Sequence, residues 1–118
     1  MMDIHQIAAL ATSDTDLGEW ASKPTAITDG VMERSLTIWD VPGIEVGLWE
    51  CTPGTFTARR DNYTESCVVL AGHVTLEDSG GSVEYRPGDV LVTPMGWVGI
   101  WHVHETVRKV YVINSGQA

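Results

Sequence analysis

A short charged run, Arg59-x-Asp61-x3-Glu65, sets one guanidinium and two carboxylates close together in the chain. An arginine can bind a carboxylate or ureido oxygen through two parallel N–H groups. Glu65 or Asp61 can accept a proton or hold an ammonium group. Trp49, Trp97, Trp101 and Tyr111 can supply the apolar walls that a small-molecule pocket needs. Two carboxylates can also hold a hard cation through oxygen, but a fixed guanidinium beside them competes for the same oxygens. A plainer alternative is an Arg59–Asp61–Glu65 salt-bridge network that only fills the interior, because a buried glutamate needs a partner whatever its function.

Other candidates carry less. His102-x-His104 has the spacing that puts two imidazoles on one strand face. If Gly99, Trp101 and Val103 are the inward set of that strand, both histidines face outward, and no interior ligation is expected of them. His73 follows a turn glycine and reads as solvated, and His5 carries no readable signal. Cys51 and Cys67 have no basic neighbour to stabilise a thiolate, and Cys67 stands two residues from Glu65, so neither reads as a nucleophile. No Gly-x-Ser-x-Gly elbow or phosphate-cradling glycine loop is present.

These groups must be positioned by strands. From Ser35 onward, short stretches of β-branched and aromatic residues recur roughly every ten residues between turn signals. They are Ser35–Asp40, Glu45–Cys51, Thr55–Arg59, Ser66–Leu70, His73–Glu77, Ser82–Tyr85, Val90–Thr93, Val98–His104 and Val107–Ile113. Nine strands without a long helical pattern predict an all-β barrel or sandwich. Alternation then groups Glu65 with Cys67 and Val69 on one face, and Gly99 with Trp101 and Val103. In the last strand, either Lys109 and Tyr111 or Arg108 and Val110 face inward. The first 34 residues differ: Asp3–Leu10 can form a short helix, Thr12–Gly18 is polar, and Lys23-Pro24 interrupts regular structure. The expected division is an N-terminal arm, residues 1–34, lying over a barrel domain, residues 35–118. That arm is a candidate to reach a second subunit.

Length and charge exclude several classes. A chain of 118 residues builds one compact domain. Sixteen acidic residues against seven basic ones, a net charge of −9, argue against nucleic-acid binding and against docking on anionic membranes. No apolar run reaches the ~20 residues of a membrane span. The acidic start, Met1 to Leu10, lacks the basic beginning of a secretion signal. Two cysteines outside any paired pattern read as free, mostly buried thiols in a reducing compartment, so a cytoplasmic location is expected.

Glu65-x6-Gly72, followed by Pro87-Gly88-Asp89-x4-Pro94-x-Gly96, resembles the two halves of the cupin signature. Gly47-Leu-Trp-Glu-Cys-Thr-Pro-Gly54 and Glu105-Thr-Val-Arg-Lys-Val-Tyr-Val-Ile113 extend the likeness over about residues 35–113. The chain resembles the small single-domain cupins grouped with the cupin domain of (S)-ureidoglycine aminohydrolase, and is similar to the cupin domain of an ethanolamine-utilisation protein. The resemblance implies a jelly-roll barrel of two packed antiparallel sheets with an open mouth. It also favours Lys109 and Tyr111 as the inward residues of the last strand. The family's metal-ligand positions fall at Arg59, Asp61 and Glu65, with a later one at Gly99 or Val98. Imidazole ligands are thus replaced, and no metal and no cofactor is expected.

The resulting expectation is a stand-alone cupin that binds a small polar or anionic metabolite. Its candidate ligand-binding residues are Arg59, Asp61, Glu65, Trp101, Lys109 and Tyr111. A homodimer is expected, because an open jelly roll leaves sheet edges to cover. The alternatives are a metal-dependent aminohydrolase-like enzyme and an accessory protein-interaction module. Whether the chain is an enzyme stays open at this stage.

Overall fold

The computed structural model describes residues 3–10 and 14–115. A short helix, α1 (Ile4–Leu10), is followed by eight strands: β1 (Ala21–Ser22), β2 (Met32–Val41), β3 (Ile44–Cys51), β4 (Gly54–Arg59), β5 (Thr64–Asp78), β6 (Gly81–Tyr85), β7 (Val90–Thr93) and β8 (Val98–Asn114). All pairings are antiparallel.

Two strands are longer than their sequence pattern suggests. Ser66–Leu70 and His73–Glu77 join into β5, and Val98–His104 and Val107–Ile113 join into β8. Each long strand bends and serves two sheets. The first half of β5 and the second half of β8 pair with each other and carry β7 and β3 outside them. The other halves also pair, and carry β6 and β4. The result is the expected all-β cupin jelly roll. The bend falls where the β5–β8 register slips between Val69 and Val74. Gly72 has a φ of 89° there, and a Cβ would meet the Thr106 carbonyl oxygen and lie 2.7 Å from Val107 Cα. Only glycine combines that backbone with that approach, which explains why a turn-like Ala71-Gly72 signal sits inside a continuous strand.

The core between the sheets contains Cys51, Phe56, Cys67, Val69, Val74, Leu91, Trp101 and Tyr111 among its buried residues. Glu65, Cys67 and Val69 are all buried, as are Trp101 and Val103, so the expected alternation is present. In the second half of β8, Lys109, Tyr111 and Ile113 face the barrel cavity.

The N-terminal segment packs on its own barrel. Asp3 caps α1, accepting from the His5 and Gln6 N–H groups (3.0 and 2.9 Å) while Gln6 Oε1 accepts from Asp3 N–H (2.9 Å). Of the polar stretch Thr12–Gly18, residues 12 and 13 lie outside the described residues. Farther on, Arg34 bonds the Gly18 carbonyl (3.0 Å) and stacks 4.3 Å from the Trp20 ring centre. Arg108 bonds the Thr15 carbonyl. Strand β1 then pairs with β2, and residues 25–28 lie along the free edge of β4. Ile27 N–H donates to the Thr55 carbonyl (2.7 Å), and Thr57 N–H donates to the Thr25 carbonyl (3.1 Å). Regular structure therefore begins before Ser35, where the strand pattern of the sequence starts. Among the described residues, no helix is long and apolar enough to cross a membrane.

Candidate functional site

A cavity of about 330 Å³ opens at the barrel mouth. Its aromatic wall comes from β3, β4 and β8. Phe56 and Trp101 stack with ring centres 5.6 Å apart, and Trp49 meets Trp101 edge-on at 5.7 Å. Lys109 Nζ sits between the two indoles, 4.4 Å from each centre. That placement lets a buried ammonium exchange hydration for ring quadrupoles.

The charged floor is built on Glu65. Three donors converge on its Oε1: Lys109 Nζ at 2.5 Å, Cys67 Sγ at 3.2 Å and Arg60 Nη2 at 3.3 Å. Burial pushes the Glu65 carboxyl up, but Lys109 and then Arg60 oppose this, and the net result lies below the ordinary 4.5. Glu65 is therefore a carboxylate at neutral pH. Arg60 is held further by Thr93 Oγ1 (2.9 Å) and the Arg59 carbonyl (3.2 Å). Burial drives the Cys67 thiol to about 12 and the Cys51 thiol to about 11, so neither supplies a thiolate. Tyr111 donates to Glu45 Oε2 (2.6 Å), and burial, reinforced by that bond, raises its phenol to about 12.

The alternative of an Arg59–Asp61–Glu65 salt-bridge network is not formed. Arg59 and Asp61 pair with each other at 3.3 Å, with side chains 67% and 65% exposed. Arg59 reaches only the cavity rim, and Asp61 does not line it. Arg60 is the interior arginine. The physical cause is the end of β4 at Arg59: beyond it strict alternation lapses, and the chain turns through Asn62, whose φ is 67°. Arg60 N–H bonds the Trp97 carbonyl (2.9 Å) and Gly96 N–H bonds the Arg60 carbonyl (2.8 Å), which fixes the turned-in backbone. The remaining candidates, Glu65, Trp101, Lys109 and Tyr111, lie together on the cavity wall.

Sequence reasoning missed Arg60, Phe56 and Lys23. Arg60 differs from Arg59 by one residue of phase, which a strand pattern cannot resolve at a strand end. Lys23 belongs to the arm, where no periodicity signals an inward side chain. The histidines stay outside the cavity. His102 bonds Glu77 (2.8 Å), and His104 bonds Thr75 (2.8 Å). His73, expected in solvent, is mostly covered and lies 4.6 Å from His104, ring centre to ring centre.

The residues present do not fit a metal at the family's ligand positions. Asp61 points away, and the best-placed oxygen of Glu65 already holds an ammonium and a guanidinium. A side chain at Gly99 would strike the Trp97 ring and come within 2.5 Å of the Glu77 carbonyl oxygen. Among the described residues, no group of three or more His, Cys, Asp or Glu is arranged to hold a metal ion.

Two bent, interleaved sheets around a mouth-facing polar floor define a small cupin. The sequence pattern of the EutQ-like cupin domain matches residues 43–111, and the chain belongs to that family. Among solved structures, it is similar to the Clostridium difficile EutQ protein (22% identity, 71% of this chain and 68% of that one, TM-score 0.64). It is likewise similar to a putative ethanolamine utilization protein Q from Salmonella typhimurium (20%, 83% and 80%, 0.66). A DUF861-family protein from Thermotoga maritima is 31% identical over 54% of this chain and 73% of its own, with a TM-score of 0.51. A search of curated proteins gave no match.

Proposed function

We propose that this cupin binds a small organic anion, a carboxylate metabolite, in the barrel without a metal ion. The observation that carries this reading is a local charge reversal. Four of the chain's seven Lys and Arg residues, Lys23, Arg59, Arg60 and Lys109, line one cavity; Glu33 and Asp61 pair with Lys23 and Arg59 from outside the lining, so Arg60 and Lys109 against Glu65 leave one net positive charge there. A cavity with low-dielectric aromatic walls concentrates that local field against the overall charge of −9. Arg60 and Lys109 supply donors to the anion, Glu65 holds both in place, and Trp49, Trp101 and Tyr111 exclude water. An aminohydrolase-like reaction through a bound metal is disfavoured by the Trp97 ring against Gly99 and by the cations on Glu65. Calorimetric titration with small carboxylates, matched amines and neutral amides tests the reading. Carboxylates should bind selectively; equal response to all three classes, or to none, would overturn it.

The proposal includes a homodimer. Val92 on β7, Ser66 on β5 and Val112 on β8 stand opposite one another across the outer face of one sheet. Val90, Val92 and Val112 are 66%, 50% and 37% exposed, an apolar row that a second copy would cover isologously. Light scattering should give twice the chain mass, and Val92→Glu should give a folded monomer. A monomeric wild type at micromolar concentration refutes this. Two buried, unpaired cysteines are consistent with work in a reducing cytoplasm.

A further inference from the structure

Lys23 is the one cavity cation that does not belong to the barrel. Residues 25–28 hydrogen-bond to β4, and Thr28 Oγ1 accepts from Thr55 N–H (2.8 Å). Lys23 N–H closes the segment back on the Val31 carbonyl (3.0 Å). This anchoring carries Lys23 Nζ over the Phe56 ring, 4.5 Å from its centre and 5.8 Å from the centre of Trp49. Lys109 Nζ lies 4.4 Å from the same Trp49 ring. Two ammonium groups therefore flank one aromatic wall, the first at the arm side and the second beside the floor.

Resting on the anion-binding reading above, we infer that the ligand is a short dicarboxylate held at both ends, and that the N-terminal arm supplies its outer anchor, Lys23. At the floor, Lys109 and Arg60 carry two positive charges against the single charge of Glu65. One cationic equivalent remains there for an inner carboxylate. At the outer end, Lys23 is held by Glu33 Oε1 at 3.0 Å, and the same oxygen accepts from Trp49 Nε1 at 3.0 Å. Glu33 does not line the cavity, whereas Lys23 does. The cavity side of this pair thus presents an ammonium, which has donors left after one carboxylate contact. Between the ends, the chain of the ligand lies on Trp49, Phe56 and Trp101. A monocarboxylate can use only one end. A dicarboxylate uses both, with the second contact made at high effective concentration.

The test is calorimetry on the whole chain with acetate, propionate, succinate and glutarate at fixed ionic strength. Succinate or glutarate should bind at least about tenfold more tightly than the monocarboxylates, one charge-assisted contact being worth that much or more. Lys23→Met should abolish this preference, bringing succinate and glutarate down to the affinity of the monocarboxylates measured on the same variant. Glu33→Gln keeps an acceptor for Trp49 but releases Lys23 from its counter-charge, so the preference should increase. Equal binding of acetate and succinate, or a preference that survives Lys23→Met, overturns the inference but leaves the anion-binding reading standing. Absence of binding by every carboxylate sinks both. Should Lys23→Met fail to fold, Glu33→Gln decides alone: an unchanged or weaker preference refutes the outer anchor.

Discussion

Replacing Lys109 by Met removes the ammonium from Glu65 while keeping an unbranched apolar side chain between Trp49 and Trp101. Truncating one partner of a buried pair ordinarily costs about 3–5 kcal/mol, because the other charge is left without its counterion. Glu65 has an escape that limits this cost. Arg60 at 3.3 Å remains, but burial, the largest influence on this carboxyl, is then opposed by less positive charge, so its pKa rises. The folded variant can therefore take up a proton. Relative to an unfolded glutamate with the ordinary 4.5, that uptake costs about 3 kcal/mol at pH 7 and under about 1 kcal/mol at pH 5. These values cap the electrostatic penalty. In the wild type the sign is opposite: the lowered pKa of Glu65 means that its stabilisation is complete above 4.5 and fades as pH falls through the depressed value.

The loss from Lys109→Met should thus be larger at pH 7 than at pH 5, by no more than about 3 kcal/mol. Urea unfolding between pH 5 and 8, followed by tryptophan fluorescence, measures it. The double variant Lys109→Met/Glu65→Gln has no carboxylate to protonate, so its residual loss should be independent of pH over that range. A single-variant loss that does not change with pH, or a variant as stable as wild type at pH 7, would refute the account of Glu65 as a buried carboxylate held by these cations.

Gly47→Ala should lower stability by about 1–3 kcal/mol, the usual range for overpacking. A Cβ there would strike the Tyr111 hydroxyl and lie 2.7 Å from the Leu36 carbonyl oxygen. Tyr111→Phe removes that hydroxyl and should recover part of the loss in a double-variant thermal melt. The thiols offer a separate check. With Cys67 raised to about 12 and Cys51 to about 11, neither should react with a disulfide reagent at pH 8 in the folded state, and both should react in urea. Rapid labelling of the native protein would contradict their burial.

The residues that were legible in the sequence share one property: they lie inside regular strands. Glu65, Cys67 and Val69 alternate in β5, and Trp101 and Val103 in β8, so strand parity and the glycine–proline turns were enough to orient them. Lys109 and Tyr111 needed the family resemblance as well, because alternation alone left Arg108 and Val110 as the other choice. The failures fall at discontinuities. Arg59 and Asp61 flank the end of β4, where two neighbouring arginines exchange roles over a single residue. The long strands β5 and β8 each read as two in the sequence because Gly72 and the Glu105–Val107 bend resemble turns locally, yet the backbone ladder runs through both. Lys23 was invisible for a third reason: its position depends on hydrogen bonds from the arm to β4, a pairing between segments about thirty residues apart.

The cations of the floor give it the net charge that a metal-loaded cupin centre would carry. A cupin centre of neutral imidazoles and one glutamate around a divalent ion carries a net charge of about +1. Here the glutamate position is kept as Glu65, and Lys109 and Arg60 bring two positive charges to it. The net charge of the floor is again +1, supplied by side chains rather than by an ion. On the anion-binding reading, this floor offers an anion a net positive charge without a metal ion. A divalent ion is Lewis-acidic and exchangeable, whereas the cations of this floor are fixed by Thr93, the Arg59 carbonyl and two indole faces. That difference favours recognition of an anion over polarisation of a bond, in line with the reading proposed above.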